Sequence, residues 1–368
     1  MAKETAVTRE NDCYAGAPAS LCLFRLSAIG DVTHLLPVLR TVQRHWPQTA
    51  ITWVIGRLEA GLVGDIPGVD FRVLDKNDGI RACRKQLRAA EGGRVHDLIL
   101  QMQASLRASL IATGLQGRRR IGFDRTRAVN GQWLFTNERI AARPRQHVLD
   151  GFFGFLAQAG LPTRELVWDI PLPEAAKEFA GRHLPHERPL LAISPCSSQR
   201  WRNYRDWPVE RYIEVAKHAG KRGLRVVLLG GSSARERAYA EAIGAGAGEP
   251  PIDLVGRTSL KELAAVLDRC VGLVGPDSGP VHIGSALDRP VIGLYATSNP
   301  WRTGPYRHRE FVVNRYPEAV RRLLGREVEE VRWGTRVRDP RAMELITAVE
   351  VCERIDQLPL DADNLRHC

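Results

Sequence analysis

A buried strand that breaks on glycine and restarts as a proline-led helix constrains this chain more than any other feature. It lies at Val271-Gly-Leu-Val-Gly-Pro-Asp-Ser-Gly-Pro280, with a second apolar strand at 291–295. A short apolar run bounded by glycine suits a parallel strand covered on both faces. Pro280 fits the first turn of a helix, where a missing N–H is not needed. In an open parallel sheet, ligands bind beyond the carboxyl ends of the strands, where this turn would sit. Free N–H groups there, with Ser278 and Gly279 leaving room, form a seat for an anion. An ordinary connection capped by Asp277 and Ser278 fits the same residues.

The same alternation runs through both halves of the chain. Strands are expected at 21–26, 50–55, 71–74 and 97–102, and helices at 32–45, 80–90, 104–113 and 148–160. Proline density rises at Pro162, Pro171, Pro173, Pro185 and Pro189, which marks an interdomain region with a short helix at 174–184. A second set follows: strands at 190–194, 224–229 and 252–255, and helices at 208–220, 233–243 and 259–269. Strand–helix alternation of this kind means an α/β protein with parallel sheets covered by helices. At 368 residues two domains are expected. They divide as 1–172, 173–340 and a helix and tail at 341–368 that packs back on the first domain.

Charge and cysteine content narrow the function classes. The formal net charge of +11 asks for an acidic partner: nucleic acid, an anionic membrane surface or a phosphorylated substrate. The seven cysteines, Cys13, Cys22, Cys83, Cys196, Cys270, Cys352 and Cys368, include no CxxC pair, which argues for reduced thiols and against a zinc site. No apolar run is long enough to span a bilayer. The first twenty residues have no apolar core of a secretory signal, so a cytoplasmic location is expected.

Several residues could carry chemistry. Asp31 follows Gly30 at the end of the first strand and reads either as a helix N-cap or as a proton acceptor. His34, one turn on, reads as a helix-surface residue, and His282 reads either as a ligand contact or as a plain helix residue. The turn-rich segment 118–127, with Arg118, Arg119 and Arg120, reads as a solvated face or as a landing place for phosphate or carboxylate. In the stretch Ser194-Pro-Cys-Ser-Ser-Gln-Arg-Trp-Arg-Asn-Tyr-Arg-Asp-Trp-Pro208, the cations Arg200, Arg202 and Arg205 interleave with Trp201, Tyr204 and Trp207. Cations at a strand end suit a leaving diphosphate, and Trp207-Pro208 reads as a staple for the next helix. Gly230-Gly-Ser-Ser233 lacks the GxGxxG spacing and any Walker lysine, which disfavours an NAD enzyme.

Taken together, these segments resemble glycosyltransferase family 9, the lipopolysaccharide heptosyltransferases. The resemblance covers about residues 21–310. It rests on Ser27-Ala-Ile-Gly-Asp-Val-Thr-His34, Arg120-Ile-Gly-Phe-Asp124, 201–208, and Pro276-Asp-Ser-Gly-Pro-Val-His282 continuing into Ala286-Leu-Asp-Arg-Pro290. It implies a GT-B architecture, two Rossmann-like domains facing across a cleft. It also implies inverting, metal-independent transfer of a heptose from ADP-heptose to the inner core of lipopolysaccharide, with no cofactor. Asp31 matches the family's general base. Arg205 stands where the family has a lysine that contacts the diphosphate. Ser197, Ser198 and Arg202 fall at the donor phosphates, Glu236 at the donor ribose and Thr258 at the adenine. Asp277, Ser278, Gly279 and His282 fall at the donor sugar and phosphates. Gly30, His34, Arg118, Arg119 and Arg120 are the expected acceptor contacts. The opening Ser194-Pro-Cys196 and Tyr295-Ala-Thr-Ser-Asn-Pro300 depart from the usual family forms, which leaves the donor sugar open.

An anionic lipopolysaccharide acceptor and an inner-membrane surface are the expected partners, with the protein peripheral on the cytoplasmic face. Two rivals remain: a nucleic-acid binder, and a sugar-nucleotide sensor without catalysis on the same fold.

Overall fold

The computed structural model describes residues 16–185, 187–198 and 203–360. Arg200, Trp201 and Arg202 of the cationic cluster lie outside the described residues, as do Cys13, Cys368 and the tail beyond 360. The first half runs β1 (Ser20–Phe24), α1 (Ile29–His45), β2 (Ala50–Gly56), α2 (Arg57–Val63), β3 (Val69–Leu74), α3 (Gly79–Glu91), β4 (Val95–Gln101), α4 (Leu106–Ala112), β5 (Gln116–Gly122), β6 (Glu138–Arg139) and α5 (Val148–Ala159). The second half runs α6 (Glu174–His183), β7 (Leu190–Ile193), α7 (Val209–Lys221), β8 (Arg225–Leu228), α8 (Ala234–Gly246), β9 (Ile252–Asp253), α9 (Leu260–Asp268), β10 (Gly272–Pro276), α10 (Gly279–Ala286), β11 (Val291–Tyr295), α11 (Pro300–Thr303), β12 (Val313–Asn314), α12 (Tyr316–Ala319) and α13 (Ala348–Asp356).

Each half builds a six-stranded sheet, ordered β3-β2-β1-β4-β5-β6 in one and β12-β11-β10-β7-β8-β9 in the other. Every described strand pair is parallel. Both orders turn back at one point, between β1 and β4 and between β7 and β10. Crevices open at such points in doubly wound sheets, because the flanking connections leave in opposite directions. The two Rossmann-like halves expected from the alternation are present.

The structure corrects several local expectations. Residues 118–120 are not a turn but part of β5. Three arginines hid its strand pattern, and parallel pairing with β4 overrides the composition. The stretch 341–356 is not one helix: a 3-10 turn at Pro340–Leu345 precedes α13. Nor does this segment pack back on the first half. Ile346, Val351, Ile355 and Leu358 are buried with Leu191, Trp207, Tyr212 and Val215 of the second half. The reason lies in α13's apolar face, which Val351 and Ile355 present one turn apart and which packs on α7. Trp207 is a staple, as read: it precedes the N-cap Pro208 and packs on Tyr212 with ring centroids 4.9 Å apart.

The halves meet where α1 packs on α10, and one apolar cluster runs through both, from Leu35 and Leu39 to Val281 and Ile283. Lys261 on α9 reaches Asp65 at 2.7 Å and the Pro171 carbonyl at 2.5 Å. Three buried histidines fill the seam. The His34 ring lies edge-on to His147 at 5.0 Å and to His282 at 5.3 Å. His34 is therefore not on the helix surface, because the second half covers that face of α1. His147 accepts the Leu149 N–H through Nδ1 and donates from Nε2 to the Gly304 carbonyl at 3.0 Å, which fixes it as a neutral tautomer.

Burial, reinforced by His147, His282 and Arg25, holds the His34 ring well below its ordinary value of 6.5. Burial also lowers His147 to about 4, against the pull of the Gly304 carbonyl. Between these values and 6.5 the unfolded chain binds protons that the folded chain refuses. Stability is therefore full above pH 6.5 and is lost as pH falls from there toward 4. Denaturant unfolding near pH 5 should show a loss of about 2 kcal/mol from His147 alone. His34→Phe should lessen the total loss. A stability that is flat from neutral pH to about pH 5 would contradict this.

Candidate active site

Both switch points deliver their connections to one place. Asp31 follows β1, the segment 194–198 follows β7, and Asp277 and Ser278 follow β10. The helix begins at Ile29, three residues earlier than its apolar spacing suggested, so Asp31 is not the N-cap but sits in the first turn. Its Oδ2 accepts from the Ala28 N–H at 3.4 Å and pairs with the Arg25 guanidinium. A carboxylate is favoured there by the helix N-terminus and by the cation. Arg25 also donates to the Met102 carbonyl at the end of β4 and lies over the Phe152 ring, 5.4 Å from its centroid. It is thereby fixed across the first switch point.

In the second half, Arg205 donates from Nη1 to the Asp277 carbonyl at 2.6 Å and from Nε to Asn203 Oδ1 at 2.7 Å. Nη1 also stands 3.5 Å from Asp277 Oδ2. Among the described residues, its Nη2 makes no hydrogen bond. Asp277 is buried and accepts from Ser298 Oγ at 2.9 Å, and His282 Nε2 is 3.3 Å from its Oδ1. Burial alone would raise this carboxyl. His282, Arg205 and Ser298 outweigh it and hold the group well below the usual carboxylate range.

The two clusters touch. A Cβ built on Gly30 would lie 2.4 Å from His282 Cδ2, and one on Gly279 would lie 3.6 Å from Ile29 Cβ. The first turns of α1 and α10 therefore lie against each other, and a chain of contacts runs Arg205–Asp277–His282–Gly30 to Asp31. Ser278, the N-cap of α10, has a buried Oγ with no hydrogen-bond partner among the described residues. Tyr295 presents a buried, unpartnered hydroxyl near Asp277 and Arg205, and burial pushes it well above its ordinary value. Orphaned polar atoms beside adjoining helix starts suit an anionic ligand.

Other expected residues have local duties. Ser197 donates from N and Oγ to Asp206 Oδ1 at 2.8 and 2.7 Å and accepts from Asn203 Nδ2 at 2.6 Å. Its hydroxyl proton is thus committed to ordering the loop rather than offered to a phosphate. Ser198 is exposed, and its carbonyl takes the second Asn203 bond. Glu236 closes a capping box with Ser233 and accepts the Gly231 N–H at 2.6 Å. Thr258 keeps a buried Oγ1 with no partner among the described residues.

Arg118, Arg119 and Arg120 are not at the site. Through β4, Arg119 and Arg120 stand level with Leu21 and Cys22, near the start of β1. Arg118 is exposed and 3.6 Å from Asp97. Arg119 forks onto Glu138 at 2.7 and 2.9 Å. Arg120 holds the Ala112 and Leu115 carbonyls at 3.0 and 2.9 Å. Trp207, with its ring buried, is not available for stacking on a base.

Arg25, Asn203, Asp206, Tyr295 and Ser298 were not individually expected at the site from the sequence. Arg25 had a signal, a lone charge in an apolar strand. Asn203 and Asp206 sit inside a stretch already singled out for its arginines. No group of three or more His, Cys, Asp or Glu among the described residues is arranged to hold a metal ion.

The Gly30–His282 contact has a direct test. Gly30→Ala should destabilise the fold by about 1–3 kcal/mol through overpacking at the seam. His282→Ala in the same chain should recover part of that loss, read as coupling in a double-mutant cycle. Simple additivity would show that the two residues do not meet.

Known proteins share this architecture. Residues 80–324 match the model of glycosyltransferase family 9 (heptosyltransferase). The chain is 37% identical over 350 residues to the lipopolysaccharide core heptosyltransferase OpsX of Haemophilus influenzae, covering 94% of this chain and 99% of that protein. It is 26% identical to lipopolysaccharide heptosyltransferase 1 of Salmonella typhimurium, over 77% of this chain and 90% of that one. Among solved structures, a family 9 glycosyl transferase from Veillonella parvula superposes with a TM-score of 0.75 at 22% identity, covering 95% and 98% of the two chains. The E. coli heptosyltransferase WaaC with ADP gives 0.71 at 20% identity, covering 92% and 99%. The fold is GT-B, and the chain is a glycosyltransferase that belongs to glycosyltransferase family 9, the heptosyltransferases.

Proposed function

We propose that this enzyme transfers a heptose from ADP-heptose to the inner core of lipopolysaccharide, with inversion and without a metal. The observation that carries the reading is the junction of the Asp31 carboxylate and the Arg205 guanidinium through Asp277, His282 and Gly30. In this reading the carboxylate serves as base and the guanidinium as cationic seat, on opposite sides of one seam. The likeness to OpsX, a lipopolysaccharide core heptosyltransferase, supports the substrate class, and a solved relative that holds ADP supports the nucleotide.

In this reading, Asp31 takes the proton of the acceptor hydroxyl as that oxygen bonds to the anomeric carbon. The bond from that carbon to the diphosphate breaks, and its electron pair leaves on ADP. Arg205, Ser278 and the N–H groups at the start of α10 meet the growing negative charge. They are given the task that a metal ion performs in other transferases. Arg25 fixes the Asp31 carboxylate while it waits for the proton. Ser198 stays assigned to the donor phosphates, Glu236 to the ribose and Thr258 to the adenine, and Gly30 borders the acceptor. The net charge of +11 supports a peripheral position against an anionic cytoplasmic membrane face, where such an acceptor is anchored.

Asp31→Asn should lower kcat by about 10²–10⁴ while leaving ADP affinity unchanged. Turnover near that of the wild type would remove Asp31 as the base. Arg205→Ala should weaken both ADP binding and turnover, and Arg205→Lys should restore part of each. Calorimetric titration with ADP alongside turnover separates the two roles.

A further inference from the structure

The rim that borders the Asp31 turn carries large apolar side chains in water. Leu58 is 61% exposed at the start of α2, and Leu106 is 49% exposed at the start of α4. Val129, Trp133 and Leu134 are 54%, 49% and 68% exposed in the 3-10 segment Val129–Phe135. These follow the carboxyl ends of β2, β4 and β5, the same edge of the sheet from which Asp31 projects. Exposed arginines interleave with them: Arg57 beside Leu58, Arg107 beside Leu106, and Arg125 and Arg143 on either side of the 3-10 segment.

The rim is continuous and firmly held. Lys76 pairs with Glu59 of α2 at 2.6 Å, and its carbonyl accepts from Arg107 of α4. In turn α4 packs on the 3-10 segment. Buried Gln132 anchors that segment, donating to the Gln101 and Gln103 carbonyls at 2.7 and 3.2 Å and accepting the Phe123 N–H at 3.2 Å. The Gln103 side chain accepts the Leu26 N–H at 2.8 Å, which ties the rim to the turn before Asp31. Arg127 pairs with Asp124 and donates to the Ala141 carbonyl at 3.3 Å, which draws the Arg125 and Arg143 flanks together. The acids Glu59, Asp75 and Asp124 face Lys76, Arg57 and Arg127, while Asp78 is exposed.

We propose that this rim docks on an anionic lipid surface, with Trp133 and Leu134 entering the headgroup boundary and the arginines meeting lipid phosphates. Apolar side chains spaced among cations are what an interface of lipid and water selects. Leu and Val offer nothing for a nucleic-acid base to pair with, and two copies of so cationic a rim would repel one another. The proposal rests on the transferase reading only in explaining why the rim should lie beside Asp31: it would bring a lipid-anchored acceptor to the base.

The test uses the full chain and vesicles of equal parts phosphatidylglycerol and phosphatidylethanolamine. The wild type should co-sediment with them, more weakly with phosphatidylcholine vesicles and more weakly as NaCl rises from about 0.1 to about 0.5 M. The double variant Trp133→Ser, Leu134→Ser should lose about tenfold or more in partitioning. Its circular dichroism and its turnover on a water-soluble, delipidated acceptor should match the wild type. Equal partitioning of variant and wild type overturns the proposal, as does absence of wild-type binding to the anionic vesicles. So does a wild-type dimer that the substitutions convert to monomer. Vesicle binding needs no turnover, so loss of the transferase reading would show separately, as no transfer to the soluble acceptor.

Discussion

The site depends on two helix starts held against each other. Ile29 and Gly30 at the head of α1 touch His282 and Gly279 at the head of α10. Packing the two first turns together brings the N-terminal N–H groups of both helices, and so their positive ends, close to one another. That arrangement is unfavourable unless negative charge sits nearby. Here it is met by Asp31, paired with Arg25, and by Asp277, held by Arg205, His282 and Ser298. Cation and carboxylate thus alternate across the seam. The buried Ser278 hydroxyl, without a hydrogen-bond partner among the described residues, can donate to one more anionic group.

This explains why the residues of the site come from four separate strand ends. Two sheets of the same winding each open at their switch point, and packing α1 on α10 brings the two openings together. Glycine is required at position 30 for the helices to approach this closely, since any side chain would strike the His282 ring. The histidine seam then makes the approach sensitive to protonation, because His34 has no partner for a charge among its neighbours His147, His282 and Arg25.

Much of the fold was legible because parallel strands are short apolar runs separated by glycine turns, and the chain repeats that rhythm through both halves. Asp31, Asp277 and Ser278 were legible for the same reason: each sits just past the end of such a run. Arg118 to Arg120 misled because a charge run carries no record of which end of a strand it occupies, and pairing with β4 decided that. His34 misled because the face of α1 that it occupies is covered by the other half, a contact without local trace. Ser197 and Glu236 were placed at ligand positions by resemblance, and the loop and cap hydrogen bonds that they make left no separate trace in the sequence. The α13 segment was sent to the wrong half because an apolar helical face does not name its partner.

The most direct test of the account is a crystal structure of the chain with an ADP-sugar whose sugar cannot be transferred. The diphosphate should lie within hydrogen-bond reach of Arg205 and of the Ser278 hydroxyl. The anomeric carbon should face the Asp31 carboxylate from the side opposite the leaving group. A diphosphate bound away from the start of α10, or an Asp31 carboxylate on the far side of α1 from the sugar, would contradict it.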